Sequence, residues 1–544
     1  MHPSNEHLLS ASQRNASPCK PLLLITLSVA TLLCAAAVLL PRLAAPDLCA
    51  GSPDPTSCHA IVADAVLASP HAHPTRPAQV LGAIVARSLG LHDAAAEEVA
   101  AMHRRAGDSR QRAAAALADC VHLMDLARDR LVDASSAAAP GDARTWLSAV
   151  LTYYVTCTDG LDGRPLRDAV GARLEPLKSL ASASLAVLNA LDDGGEGSGD
   201  VLAEVVDRFP SWVPARDRAL LELEAGAAKA DVVVAKDGSG RYKTVQEAVD
   251  AAPDGGKSRY VIYVKKGVYK ENVQVGKKKR ELMIVGDGIG MDATVITGSR
   301  NVVDGATTFN SATLAVAGDG IILRDLRVEN TAGPEKHQAV ALRVSADRAV
   351  VHRCRVDGHQ DTLYAHALRH FYRDSAVSGT VDFVFVNAAA VLQRCALVAR
   401  RPMRGQKNAV TAQGREDPNQ STGTSVQGCR VVPAPDLAPA AREFPTFLGR
   451  PWKAYSRTVY MQSYLDAHVH PRGWLEWDGE FALGTLFYGE YRNEGPGAGT
   501  AGRVRWPGYH DITDRSVAMQ FTVGQFIQGG SWLRDTGVDY NEGL

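Results

Sequence analysis

No charge of one sign dominates this chain, no CxxC pair or His-Cys spacing marks a zinc site, and only one apolar run is long enough to cross a bilayer. The first absence removes nucleic acid as a partner. With 59 Lys+Arg against 60 Asp+Glu the formal charge is −1, far from the basic footprint that phosphate backbones need. The balance is uneven along the chain: 19 basic and 24 acidic residues precede residue 219, leaving 40 and 36 after it, so the two parts carry −5 and +4. The second absence leaves no ligand set for zinc, and the third excludes a polytopic membrane protein. What remains, 46% hydrophobic and 22% charged residues over 544 positions, is ordinary globular composition with length for several domains.

The one apolar run sets the compartment. Pro21 to Leu40 has no charge and follows Arg14 and Lys20, so 1–20 reads as a cytosolic leader and 21–40 as an uncleaved signal anchor rather than a cleaved signal peptide. The rest of the chain then enters the secretory lumen, where disulfides form. Cys19 and Cys34 belong to the leader; Cys49, Cys58, Cys120 and Cys157 follow it; Cys354, Cys395 and Cys429 lie in the second half. The middle four suggest two disulfides in any of three pairings.

Residues 47–190 place apolar residues at three- and four-residue intervals, as in AAAALADCVHLMDLARDRLVDA (113–134) and DARTWLSAVLTYYVTCTDGL (142–161). That periodicity predicts an antiparallel helix bundle. LDDGGEGSGD (191–200) breaks the pattern, and 191–230 reads as a linker holding a processing site at RDRALL (216–221). From Asp231 to residue 544, short Val- and Ile-rich runs alternate with turns. Four of them align on Leu326, Cys354, Ser375 and Cys395, at spacings of 28, 21 and 20 residues. A repeat of short strands at this length predicts a parallel β-helix with those four side chains stacked in its core. The cysteines are then inward small hydrophobes.

The same coil length places the chemistry. Gln338, Gln360-Asp361 and Asp382 are 22 and 21 residues apart, so Asp361 and Asp382 are lateral neighbours about 5 Å apart at the backbone. Two adjacent carboxylates resist ionising together, which supplies a protonated acid and an ionised nucleophile from one side-chain type.

GVYKENV (267–273), QAVAL (338–342), QDTLY (360–364), DFVFV (382–386) and LGRPW (448–452) resemble, in order and spacing, the signature blocks of plant pectin methylesterases (pectinesterases). The region before them resembles that family's amino-terminal inhibitor-like pro region, a four-helix bundle with four cysteines at positions matching Cys49, Cys58, Cys120 and Cys157. The resemblance implies a right-handed parallel β-helix that hydrolyses methyl esters of galacturonate in pectin without metal or organic cofactor. Asp382 is then the nucleophile, Asp361 the acid and then the base, Gln338 and Gln360 the oxyanion donors, and Arg450 the partner that keeps Asp382 ionised. Tyr364, Phe385, Trp452 and Trp477 suit a sugar cleft alongside Arg450. The bundle is expected to inhibit the enzyme in cis until the anchored precursor is processed and reaches the cell wall.

Lys277 to Arg280 read as a solvated basic run, and Asn419-Gln420-Ser421 as a surface glycosylation sequon. Three positions depart from the family pattern. Val386 stands where the family has glycine, which predicts distorted geometry beside Asp382, since a β-branched residue takes φ > 0 poorly. Ser375 replaces a cysteine, leaving Cys395 without a partner, and Arg216-Asp217-Arg218 lacks the adjacent basic pair. One rival is a catalytically weak pectin-binding or regulatory wall protein, supported by Val386 alone. A β-helical lyase would need a carboxylate cluster for calcium and a polygalacturonase paired acids in other blocks; neither set is present.

Overall fold

The bundle helices owe their placement to how completely they are covered. In the computed structural model, which describes residues 47–67, 77–106, 111–193, 230–287 and 293–544, helices α1 (Pro55–Leu67), α2 (Pro77–Ala106), α3 (Gln111–Ser135), α4 (Pro140–Asp159) and α5 (Arg164–Asp193) form the amino-terminal part. Four are long, as the expected four-helix bundle requires, and α1 is a short addition. Pro140 opens α4 with its preset φ, Gly160 closes it, and every residue from Leu147 to Thr158 is buried. A helix with no polar face is sandwiched on all sides. On one side the Tyr154 hydroxyl meets His92 of α2 at 2.8 Å; on the other Thr156 meets His366 of the β-rich part at 3.0 Å.

The disulfides resolve the pairing left open by the sequence. Cys49–Cys58 ties the entry segment to α1, against Ala183 and Ala186 of α5, and Cys120–Cys157 ties α3 to α4. The segment 21–40, the leader, Cys19, Cys34 and Arg216-Asp217-Arg218 lie outside the described residues. Among the described residues no helix is long and apolar enough to cross a membrane.

From Val232 onward the chain winds through three parallel sheets of 11, 7 and 8 strands, each strand pairing with its counterpart one coil away. This is the expected right-handed parallel β-helix. Its interior stacks like residues along each sheet, for example Ile262, Ile284, Leu323, Val351, Tyr372, Leu392, Val426 and Tyr460 in successive pairings. The predicted ladder is buried and runs further than expected: Leu326, Cys354, Ser375 and Cys395 continue into Cys429 and Ser463. The residue before each of the six, namely Asp325, Arg353, Asp374, Arg394, Gly428 and Gln462, has φ between 48° and 58°. One left-handed residue per coil turns the chain from the 11-stranded sheet into the 8-stranded one. Cys354, Cys395 and Cys429 are buried free thiols, as inward packing predicts.

Two faces of the β-helix are covered. Phe521, Phe526, Trp532 and Leu533 of the carboxyl-terminal segment pack on Val350, Phe371 and Val391 outside the 11-stranded sheet. Outside the 7-stranded sheet runs the row Ala315, Arg343, Tyr364, Phe385 and Ala412, one residue per coil. The helix bundle packs against it, in one compact unit beginning at Leu48.

Candidate active site

The pair of carboxylates rises from this covered face. Strands Leu363–Ala365 and Val384–Val386 pair Leu363 with Val384, so Asp361 and Asp382, each two residues earlier, sit one coil apart, and the Asp361 N–H donates to the Val381 carbonyl at 3.1 Å. Both aspartates are left-handed, with φ of 63° and 52°. Asp tolerates that region better than most residues, and strain of this kind concentrates at functional sites. The register corrects one detail of the spacing argument. Leu342 pairs with Leu363, an interval of 21, so Gln338 falls one residue off Gln360. The two blocks are joined instead by the Ala339 N–H donating to the Gln360 carbonyl at 3.2 Å.

Arg450 comes from two coils further on. Strand Thr446–Gly449 pairs Gly449 with Thr411, and a Cβ at Gly449 would lie 2.1 Å from the Thr411 hydroxyl, so only glycine allows this approach. The Arg450 N–H then donates to the Thr411 carbonyl at 3.0 Å. Its guanidinium donates to both oxygens of Asp382, Nε to Oδ1 at 2.7 Å and Nη2 to Oδ2 at 2.6 Å. The Trp477 ring stacks on the same guanidinium at 4.3 Å.

These contacts separate the two carboxylates. Burial raises the pKa of both, but Asp382 is pulled back down by the two hydrogen bonds and the charge of Arg450. Asp361 is raised well above the usual range by burial and then by the charge of Asp382, with only a through-space pull from Arg450. Asp382 therefore ionises first and Asp361 holds its proton, the division that acid and nucleophile require.

One cavity of about 590 Å³ gathers the predicted set: Gln338, Gln360, Asp361, Asp382 and Arg450 line it together with Tyr364, Phe385, Trp452 and Trp477. The Gln360 side-chain oxygen is buried without a hydrogen-bond partner. Tyr364 and Phe385 are buried with ring centroids 4.4 Å apart, while Trp477 is 37% exposed. Val386 does take φ of 84° and is buried. Its carbonyl accepts from the Gly414 N–H at 3.1 Å, so the strand continues through it.

Two sequence readings are corrected. Asn419 is buried, its amide donating to the Gly51 carbonyl at 2.8 Å and to Asp417, so the sequon is not a surface site in this fold. The basic run is solvated only in part: Lys278 and Arg280 are exposed, whereas Lys277 pairs with Asp125 and Asp129 of α3, each at 2.8 Å, and Lys279 pairs with Asp254.

Sequence reasoning missed the far wall of the cavity, which is the bundle. Asp119, Thr156 and Asp159 line it from α3 and α4. Asp119 accepts from the Thr307 hydroxyl and from the Asn310 amide at 2.7 Å, and burial pushes its pKa up to about 6. Arg343 is buried beside it with its guanidinium 3.4 Å above the Phe309 ring, and burial lowers its pKa to about 10. Arg130 of α3 forms a buried two-bond ion pair with Asp319, at 2.6 and 2.9 Å. No periodicity could reveal the contacts of Asp119 and Arg130, because their partners are some 190 residues away.

Comparison with known proteins agrees with this geometry. The Pectinesterase family model matches residues 231–530, and a model described as plant invertase/pectin methylesterase inhibitor matches 45–187. Pectinesterase 2.2 of Solanum lycopersicum is 56% identical over 452 residues, 82% of this chain and 81% of its own. Pectinesterase/pectinesterase inhibitor 18 of Arabidopsis thaliana is 53% identical over 442 residues, 79% and 78% of the two chains. The solved pectin methylesterase from carrot matches with a TM-score of 0.58 and 55% identity, over 59% of this chain and 100% of its own. A pectin methylesterase from Aspergillus niger matches at 0.50 and 27%, over 58% of this chain and 98% of its own.

Proposed function

This chain belongs to the pectinesterase family, and from that premise we propose how its residues divide the reaction. The reaction is hydrolysis of galacturonate methyl esters in pectin, with methanol released. Ionised Asp382, aimed by Arg450, attacks the ester carbonyl carbon. The carbonyl π electrons move to oxygen, and the side-chain amides of Gln338 and Gln360 stabilise that oxyanion. Collapse of the tetrahedral species expels methoxide, which takes the proton of Asp361 and leaves as methanol. Asp361, now ionised, removes one proton from water as the water oxygen attacks the anhydride, which frees Asp382 as a carboxylate and releases galacturonic acid, whose remaining proton is lost to solvent. Tyr364, Phe385, Trp452 and Trp477 present flat apolar faces to the sugar rings.

The observation that carries this assignment is the asymmetry of the pair: one carboxylate is held by a guanidinium at two points, and its neighbour is buried without such a partner. The test is methanol release from highly methylated pectin by residues 230–544, with Asp382→Asn beside it. We expect a loss of at least about 10³-fold in the variant. A folded wild-type fragment that binds pectin but releases no methanol would overturn the assignment and favour the binding or regulatory reading, for which strained Val386 is the one supporting observation.

The bundle acts as an inhibitor in cis in this reading, because α3 and α4 wall the cavity that holds the carboxylates. The secretory segment 21–40 supports a precursor held at the membrane and an active enzyme in the cell wall once the bundle has been removed.

A further inference from the structure

Asp159 is the last residue of α4, where the helix already carries partial negative charge and an acidic side chain is disfavoured. Its compensation comes from outside the bundle. Both carboxylate oxygens of Asp159 face the ammonium of Lys453, Oδ1 at 3.1 Å and Oδ2 at 3.0 Å. Lys453 follows Trp452 directly, its ammonium 5.4 Å from that ring, and its side chain is only 19% exposed. Its other acidic neighbour, Glu416, is at 3.7 Å, beyond hydrogen-bond reach. Asp159 and Trp452 both line the cavity that holds Asp361, Asp382 and Arg450. When the bundle leaves, a half-buried ammonium is therefore exposed at the edge of the catalytic cleft without its main counter-ion.

We infer that Lys453 is a specificity residue that binds the free carboxylate of an already de-esterified galacturonate unit, the position Asp159 occupies in the intact chain. The inference rests on the pectinesterase reading of the cleft. The chemistry discriminates by charge: a methyl ester offers the ammonium only a neutral carbonyl, whereas the free acid offers an ion pair in a partly desolvated place. Pectin units next to a previous product then bind better than units in a fully esterified stretch, so hydrolysis extends existing acidic blocks.

The experiment compares KM and kcat for methanol release by residues 230–544 on nearly fully esterified and on half-esterified pectin, at low salt. A β-helix of this kind stands alone as a folded chain, since the carrot enzyme matches over its whole length while covering 59% of this one. Wild type should show the lower KM on the half-esterified substrate. Lys453→Met should raise that KM about two- to five-fold, the span of a part-exposed ion pair, and leave kcat and the fully esterified KM alone. Lys453→Arg should keep the preference. Glu416→Gln, which removes the competing carboxylate without touching the lysine, should enlarge it, and added salt should erase it. An unchanged ratio of KM values in both Lys453→Met and Glu416→Gln, or an equal rise on both substrates, overturns the inference. Absence of methanol from every pectin with the wild-type fragment is a different result, and it strikes the proposed function itself.

Discussion

Removing the charge of Arg130 should switch the intact chain on. The guanidinium is 7% exposed and Asp319, its partner across the bundle interface, 12%. Arg130→Met keeps the apolar stem and leaves the Asp319 carboxylate buried and unpaired while the bundle is docked. Breaking one side of a buried pair costs about 3–5 kcal/mol. Asp319 keeps one hydrogen bond, from the Asp347 N–H at 2.8 Å, so the lower end of that range applies. On undocking the carboxylate returns to water, so about 3 kcal/mol falls on the docking equilibrium, a shift of about 10²-fold toward the open form. The assay is methanol release by the intact chain, with the activity of residues 230–544 as the ceiling. The fragment lacks residue 130, so no direct effect on the chemistry can mimic the result. Adding Asp319→Asn removes the orphan charge and should restore most of the silence, since a neutral pair is nearly as good as the ionic one. An Arg130→Met chain that stays as silent as its parent, with its bundle still folded by circular dichroism, would refute inhibition by this docked arrangement.

The docked state should also respond to pH. Asp119, raised to about 6 by burial and facing Thr307, Asn310 and Arg343, binds its proton more tightly in the docked chain. Docking is then strongest below its ordinary pKa near 3.8 and weakens as pH rises through about 6, by up to roughly 3 kcal/mol if the whole shift arises on docking. His122, lowered to about 4, is neutral over most of that window. A binding profile for the separated bundle that keeps its slope in Asp119→Asn would remove Asp119 as the cause. Val386→Gly in the fragment should relieve about 1–2 kcal/mol of left-handed strain and lose a comparable amount in backbone entropy and packing, leaving the melting midpoint within a few degrees and kcat within about three-fold. A ten-fold gain in kcat would mean that Val386 restrains the site.

The β-helix and its carboxylates were legible because both obey one short period. A repeat near 21 residues stacks Cys354 on Ser375 and sets Asp361 beside Asp382, and any coil-length pattern exposes such pairs. The one-residue slip between Gln338 and Gln360 escaped because the interval between coils varies locally, here where the chain enters strand Leu342–Val344. Contacts between the two parts left no such trace. Lys277 looks solvated like its exposed neighbours Lys278 and Arg280 because its partners, Asp125 and Asp129, are some 150 residues away and belong to a helix whose own pattern is complete without them. Asn419 misled for the same reason. Its sequon is local, while the Gly51 carbonyl that receives its amide comes from the start of the bundle.

That interface explains the uneven charge along the chain. The acidic excess of the first part is spent largely on cations of the second: Asp125 and Asp129 on Lys277, Asp142 on Arg369 at 2.7 Å, Asp159 on Lys453. Of these pairs Asp159–Lys453 borders the cleft, and under the proposed inhibition in cis that carboxylate competes with the acidic product for the lysine. The exposed members of this set are screened at physiological salt, whereas the Arg130–Asp319 pair and the apolar seam of α4 are not. Under the proposed inhibition in cis, free acidic pectin displaces the periphery of the bundle without releasing it, and removal of the bundle rather than accumulation of product starts the enzyme.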